Sequence, residues 1–324
     1  PLAGSDGSSA GGSSGPQSLG LITFADHPGE ELSIGALKQL SERWAVKDGF
    51  TQEQRTEFGH LMSMVTSTYI PKNKLSRLRE IDAGSFGKIY ATTYDGCDVA
   101  VKQISNTAGS GIKAKMRELL LELRVLVRVR HPNVVTFWGT ATEFPAENSD
   151  GEPYMGLVFE LCPRDEPRWL TNEAAYLTPK TPQPVLSYGN ILLAADLTPK
   201  IADFGCARVL SSTQMTLKTT TISGSPAYMA PEQIKGDDLS FAVDTWGMGV
   251  MLWEMMTNTK PWEGRFVDFN GLKKAIVNGE RLHTPRGTPF PSSYVRSIAL
   301  CMAMQADKRP GMAVVAAELK KAIK

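Results

Sequence analysis

The order of two kinds of pattern along the middle of the chain restricts its fold more than any other feature. Short β-type runs broken by Gly and Asp occupy Leu75 to Ile81, Lys88 to Thr93 and Asp98 to Ile104. A charged, Leu-rich run with helical periodicity follows from Ile112 to Val129, and two further apolar runs lie at Val134 to Thr140 and Gly156 to Leu161. Three strands, one helix and two more strands predict a small antiparallel sheet with a single helix against it. Beyond Asn190 the apolar spacing turns helical, in Val243 to Met256, Gly271 to Val277, Tyr294 to Met304 and Met312 to Ile323. The expected class is therefore α+β: a five-stranded antiparallel sheet plus one helix over 73–160, then a mainly helical second part over 161–324.

Two segments precede this domain. Residues 1–20 hold six Gly and six Ser, bury too little apolar surface to offset the entropy of ordering, and are expected to form a flexible tail. Residues 21–72 read as a helical extension, in which Phe58, Leu61, Met62 and Val65 fall at i, i+3, i+4 and i+7 on one face. Thr51 with Gln54 three residues later can form a capping box at its start. The stripe either packs on the domain behind it or serves a partner or an autoinhibitory contact, and the sequence leaves both open. The chain starts at Pro1 with neither a methionine nor a signal segment, and reads as a fragment whose true start is missing.

Composition narrows the function classes. With 35 basic and 34 acidic residues the formal net charge is +1, so no global field draws the chain to nucleic acid or anionic lipid, and function is expected at a local site. Cys97, Cys162, Cys206 and Cys301 form no C-x-x-C pair and have no His at zinc spacing. A reduced, cytoplasmic, soluble setting is expected, and no apolar run reaches the length of a membrane span. Inert buried thiols are the favoured reading of Cys162 and Cys206.

Several motifs carry chemistry. Ile81-Asp82-Ala83-Gly84-Ser85-Phe86-Gly87-Lys88-Ile89 lies between two strand patterns, where glycines let the backbone approach a polyphosphate; in isolation it also reads as a plain turn. Fifteen residues past Gly87, Val99-Ala100-Val101-Lys102 sets one lysine in an apolar strand, where an unpaired ammonium is costly and an anionic partner is required. Glu122, on a helical run with inward Leu119, Leu123, Leu126 and Val127, suits that role, with Glu118 one turn earlier as the competitor. Ala202-Asp203-Phe204-Gly205 ends an apolar strand pattern, and Asn190-Ile191-Leu192-Leu193 precedes it by the length of a tight hairpin. A carboxylate and an amide oxygen so juxtaposed can hold Mg²⁺, which shares hard oxygen ligands with phosphate. Ala230-Pro231-Glu232, Asp244-Thr245-Trp246-Gly247 and Asp307-Lys308-Arg309-Pro310 complete the series.

In this order and spacing the chain resembles the eukaryotic protein kinase superfamily over roughly 250 residues, and Tyr94-Asp95-Gly96-Cys97-Asp98-Val99-Ala100-Val101-Lys102 looks like its tyrosine-kinase-like Ser/Thr branch. The resemblance implies a two-lobed fold, with a small lobe over 73–160 and a large lobe over 161–324. It also implies ATP and Mg²⁺ as cofactors, and a protein substrate or signalling partner. Ile81, Gly84, Ser85, Phe86, Gly87 and Ile89 would form the nucleotide-binding loop, with Gly84 and Gly87 over the phosphates. Lys102, paired to Glu122, would contact the α and β phosphates, and Asn190 and Asp203 would hold the metal. Phe159 would be the gatekeeper, Glu160, Leu161 and Cys162 the hinge, and Ala100 and Leu192 the apolar faces around adenine. Glu232 would pair with Arg309, and Asp244 would anchor the catalytic loop. In an activation segment from Asp203 to Glu232, Thr219, Thr220, Thr221 and Ser223 are candidate phosphorylation sites. Gly224-Ser225-Pro226-Ala227-Tyr228 looks more like the Ser/Thr than the Tyr form of the substrate-contacting loop.

The pattern breaks in one place. The family catalytic loop reads H-R-D-L-K-x-x-N, and counting back from Asn190 gives Gln183 for the histidine and Val185 for the aspartate. Alternatively, Gln183 to Leu186 matches the strand before the loop and Ser187 to Asn190 its end, with the block between them cut out. Both alignments lack the aspartate. Glu160 to Asn190 spans 30 residues, about twenty fewer than the family uses there. The large lobe is therefore expected to be incomplete, lacking most of a core helix. Asp82 also stands where the family usually has its first loop glycine. Two readings follow: a Ser/Thr kinase whose sequence here lacks a segment, or a pseudokinase acting as a nucleotide-sensing or scaffold module.

Overall fold

The computed structural model describes residues 34–47, 49–76, 78–84, 87–104, 112–143, 154–162, 190–205, 207, 216 and 226–322. Two helices come first, α1 (Ile34–Lys47) and α2 (Gln52–Ser67). Thr51 caps α2: its hydroxyl accepts from the Gln54 amide at 3.3 Å, and the Gln54 side chain accepts from the Thr51 amide at 2.9 Å. Phe58, Leu61, Met62 and Val65 form the buried face of this helix.

Among the described residues the sheet has six strands, one more than expected. Five of them are antiparallel neighbours: β2 (Arg79–Gly84), β3 (Gly87–Tyr94), β4 (Cys97–Gln103), β5 (Phe137–Glu143) and β6 (Tyr154–Glu160). The sixth, β1 (Tyr69–Ile70), pairs parallel to β5 and gives the order β1-β5-β6-β4-β3-β2. A two-residue strand has no period to detect, which is why alternation did not reveal it. It fits because β5 carries Gly139: a Cβ there would lie 2.3 Å from the Thr68 carbonyl oxygen.

Helix α3 (Ile112–Leu126) joins β4 to β5 and stops three residues short of the expected Val129. The apolar run starting at Val134 enters its strand only at Phe137, because Val134 and Val135 serve another contact. The Val135 amide donates to the Ile201 carbonyl at 3.0 Å, and the Ile201 amide donates to the Asn133 carbonyl at 2.8 Å. Ile201 belongs to the hairpin of β7 (Ile191–Leu193) and β8 (Pro199–Ile201), so this apolar dipeptide joins the two lobes.

Among the described residues the large lobe is built from α4 (Pro231–Lys235), α5 (Ala242–Thr257), α6 (Phe269–Val277), α7 (Ser292–Cys301) and α8 (Met312–Ala322). Helix α5 is its axis, with Trp246, Val250 and Leu252 buried against Ile276, Ile298, Cys301 and Val315. Gly249 lets α7 approach closely, since a Cβ there would lie 2.7 Å from that of Cys301. Among the described residues no helix is long and apolar enough to cross a membrane. The segment expected to lack a core helix, 163–189, lies outside the described residues.

Candidate functional site

Strand period places the first site residues. Val99 and Val101 are fully buried on one face of the sheet, so Ala100 and Lys102 point to the other. Across the ladder Lys102 is opposite Ile89 and Leu157, and Ala100 is opposite Phe159, so these residues line that same face. Phe159 is held by the Phe137 ring, centroids 5.7 Å apart.

Helix α3 brings Glu122 to Lys102. Leu119, Leu123 and Leu126 are buried, and Glu122 projects from the same side, 6% exposed. Lys102 Nζ donates to Glu122 Oε1 at 3.0 Å and Oε2 at 3.4 Å, and to Asp203 Oδ1 at 3.0 Å. Burial works to lower the Lys102 pKa, but Glu122 and Asp203 more than reverse it, holding the ammonium charged above its ordinary value.

The β7–β8 hairpin delivers Asp203. The Ala202 amide donates to the Asn190 carbonyl at 2.8 Å, which sets buried Asn190 beside Asp203. Asp203 has φ of 57°, in the left-handed region that a non-glycine residue rarely adopts. The turn is steadied by the Gly205 amide, which donates to Asp203 Oδ1 at 3.2 Å, and by Phe204, buried in the same cluster as Leu119, Leu123 and Leu126. Lys102 and Gly205 thus both use Oδ1. One carboxylate and one amide are too few ligands to hold a divalent ion alone; they suit Mg²⁺, which completes its shell with phosphate and water oxygens.

At the junction of the lobes, Glu160 accepts from Lys200 Nζ at 2.8 Å and from the Thr136 amide at 2.6 Å. Burial works to raise its pKa and these donors outweigh it, leaving the carboxyl below its usual range. The Leu161 amide donates to the Asp98 carbonyl at 3.3 Å, and Cys162 is buried. Leu192 is half-buried in β7. Gly84 and Gly87 are register partners that close the β2–β3 hairpin, and Ile81 sits at its register irregularity. Ser85, Phe86, Cys206, Thr219, Thr220, Thr221 and Ser223 lie outside the described residues, as do Gln183 and Val185.

Among the described residues of the large lobe, Arg309 and Asp244 stand in opposite situations. Arg309 donates to both oxygens of Glu232, at 2.5 and 2.8 Å, and to the carbonyls of Ala303 at 2.9 Å and Ala242 at 2.8 Å. Its guanidinium lies 5.0 Å from the centre of the Trp246 ring, and that of Arg281 lies 4.9 Å from it. Asp244, on the first turn of α5, has no side-chain partner among the described residues. Burial without compensation pushes its carboxyl up to about 6.

Sequence reasoning did not anticipate the Lys200–Glu160 pair, the Arg281 contact with Trp246 or the docking of Tyr69–Ile70. The first had a legible signal, a lysine inside a short apolar strand, the same one that pointed to Lys102. The second had none, since Arg281 and Trp246 are brought together only by tertiary packing.

Comparisons with known proteins agree with this architecture. The family model for protein tyrosine and serine/threonine kinase matches residues 75–166, and that for the protein kinase domain matches residues 186–320. Serine/threonine-protein kinase CTR1 of Arabidopsis thaliana is 29% identical over 79% of this chain and 32% of its own length. Mitogen-activated protein kinase kinase kinase 11 of Homo sapiens is 31% identical over 75% of this chain and 31% of its own length. The serine/threonine-protein kinase-transforming protein mos of a myeloproliferative sarcoma virus is 26% identical over 75% of this chain and 79% of its own length. The chain thus spans about a third of the first two relatives. With matches on both sides of the cleft and the motif residues assembled across it, this chain belongs to the eukaryotic protein kinase superfamily.

Proposed function

We propose that this domain binds Mg²⁺-ATP between its lobes as a member of the tyrosine-kinase-like Ser/Thr branch, and that the chain with this sequence transfers phosphate weakly or not at all. The observation that carries the binding half is the buried ammonium of Lys102, suspended between Glu122 and Asp203 at 3.0 Å each. Glu122 fixes where the charge sits, and the charge suits a polyphosphate oxygen. Asp203, with Asn190 beside it, would hold Mg²⁺, and the ion would neutralise phosphate charge when bound. Ala100, Phe159 and Leu192 would bound the adenine, with backbone groups of Glu160 to Cys162 hydrogen-bonding its edge. The region 73–324 is read as the kinase-like domain and 21–72 as its helical extension.

The catalytic half lacks its base. A positioned carboxylate that orients the substrate hydroxyl contributes about 10² to 10⁴-fold in rate, and valine, or a deletion, contributes none of it. In the family the residue at Asp244 anchors the catalytic loop, and here its half-buried carboxyl stands on the first turn of α5. The alternative is a pseudokinase that signals by conformation when nucleotide binds.

Two measurements on one preparation separate these readings. A rise in melting temperature with ATP that requires Mg²⁺ supports the binding half, and no shift at millimolar ATP removes it. Transfer of radiolabelled phosphate should be absent from this chain and should appear when a histidine-arginine-aspartate loop is inserted between Leu186 and Ser187. Transfer at a normal kinase rate without the insertion would overturn the catalytic half.

A further inference from the structure

The apolar stripe of α2 has no role in the nucleotide site as described, yet it is buried directly behind it. Phe58, Leu61, Met62 and Val65 share one cluster with Leu119, Leu120, Leu123 and Leu126 of α3, and with Phe204. Glu122 lies between Leu119 and Leu123 on that helix, and Asp203 is the residue before Phe204. Both carboxylates that hold Lys102 therefore neighbour residues of the cluster that α2 completes.

A second, polar attachment fixes where α2 ends. The Thr140 amide donates to the Thr68 carbonyl at 2.8 Å, and the Thr140 hydroxyl donates to the Val65 carbonyl at 3.0 Å. Beyond Thr68, β1 pairs through Tyr69 and Ile70 with Thr140 and Ala141 of β5. Gly139 admits this strand, as no side chain fits between β5 and the Thr68 carbonyl. The helix is thus anchored to the sheet at one end and presses on α3 along its length. An α3 without this backing would expose its leucines and could swing Glu122 away from Lys102.

We infer that the segment from Thr51 to Ile70 is a built-in positioning element that holds α3, and with it Glu122, against Lys102. Leu61, Val65 and Gly139 are its positioning residues, acting through Glu122 without touching nucleotide. The inference deepens the nucleotide-site reading and rests on it only for the affinity readout below.

The test uses the whole chain with Gly139→Ala, which drives the Thr68 carbonyl off β5, and separately Leu61→Ala with Val65→Ala, which leaves the sheet intact should the first variant fail to fold. Hydrogen exchange is followed in α3, with α5 as internal control, and the affinity for a fluorescent ATP analogue is measured with Mg²⁺. Amide exchange in α3 should rise roughly tenfold with α5 unchanged, and nucleotide affinity should fall several-fold, within the range expected for coupling through a packed element. In a Glu122→Gln background the same substitutions should change affinity less than about twofold, because the group they act through has been removed. A purely structural extension would lower the melting temperature while leaving α3 exchange unchanged, or would weaken affinity equally in both backgrounds, and either result overturns the inference. If the unmodified chain binds no nucleotide, the functional proposal falls by itself and α3 exchange alone decides this one.

Discussion

Two half-buried aspartates in this protein face opposite circumstances. Asp203 shares an ammonium with Glu122, takes a backbone amide from Gly205, and belongs to a network that crosses the cleft. Asp244, near the start of the central helix of the large lobe, is half-buried and has no donor among the described residues. The contrast teaches what a charged partner does for a carboxylate: Glu122 and Asp203 share one ammonium, whereas Asp244 has no cation beside it among the described residues. Burying a charge without a partner destabilises a fold, and burying it in a good network can be neutral or better.

The largest expected effect is on the paired side. Lys102→Met would leave two carboxylates facing each other without a cation, and should lower stability by about 3–5 kcal/mol in urea unfolding while abolishing the Mg²⁺-ATP shift in melting temperature. A loss under about 1 kcal/mol would mean that solvent screens this centre and that the contrast is false.

The unpaired side should respond with the opposite sign. Asp244→Asn removes a charge that burial disfavours, and should stabilise the chain at neutral pH by about 1–3 kcal/mol. The folded protein keeps the Asp244 proton up to about 6, whereas the ordinary value is near 3.8. The native state therefore binds more protons across that window, and this residue's contribution to stability falls as pH rises through it and is flat above. Unfolding curves from pH 4 to 8 should show that slope in the original chain and not in Asp244→Asn. A destabilised variant would reveal a partner for Asp244.

The smallest effect belongs to the support behind the paired centre. Thr51→Ala removes the hydroxyl half of the α2 capping box, while the Thr51 amide still donates to the Gln54 side chain, and should cost about 1 kcal/mol, read as a small drop in melting temperature with the nucleotide-dependent shift retained. A drop several times larger would mean that α2 carries much of the small lobe's stability.

The division between legible and illegible follows sequence distance and period. Lys102 could be read because an ammonium in an apolar strand demands a partner, and Glu122 because it interrupts a leucine face at helical spacing. The capping box at Thr51 and the stripe from Phe58 to Val65 are local patterns, visible without tertiary knowledge. What the stripe would pack against was not legible, since it depends on a helix more than 50 residues away in the chain. The sixth strand was missed because two residues have no alternation, and its signal lay instead in Gly139, an interior strand glycine whose reason appears only when the Thr68 carbonyl lies over it. The run from Val134 was read as strand because apolarity alone does not distinguish sheet pairing from the clasp it makes with Ile201.

The short strand β1 has a further consequence, at the level of molecules in solution rather than within one. β5 is the last long strand on its side of the sheet, and β1 is what covers its outer edge at Thr140 and Ala141, next to Trp138, which is 40% exposed. An uncovered edge of this kind offers backbone donors and acceptors to any extended chain it meets, another copy included. Loosening of the Thr51–Ile70 segment should therefore be second order in its effects: harmless to a dilute solution and increasingly visible by light scattering as concentration rises.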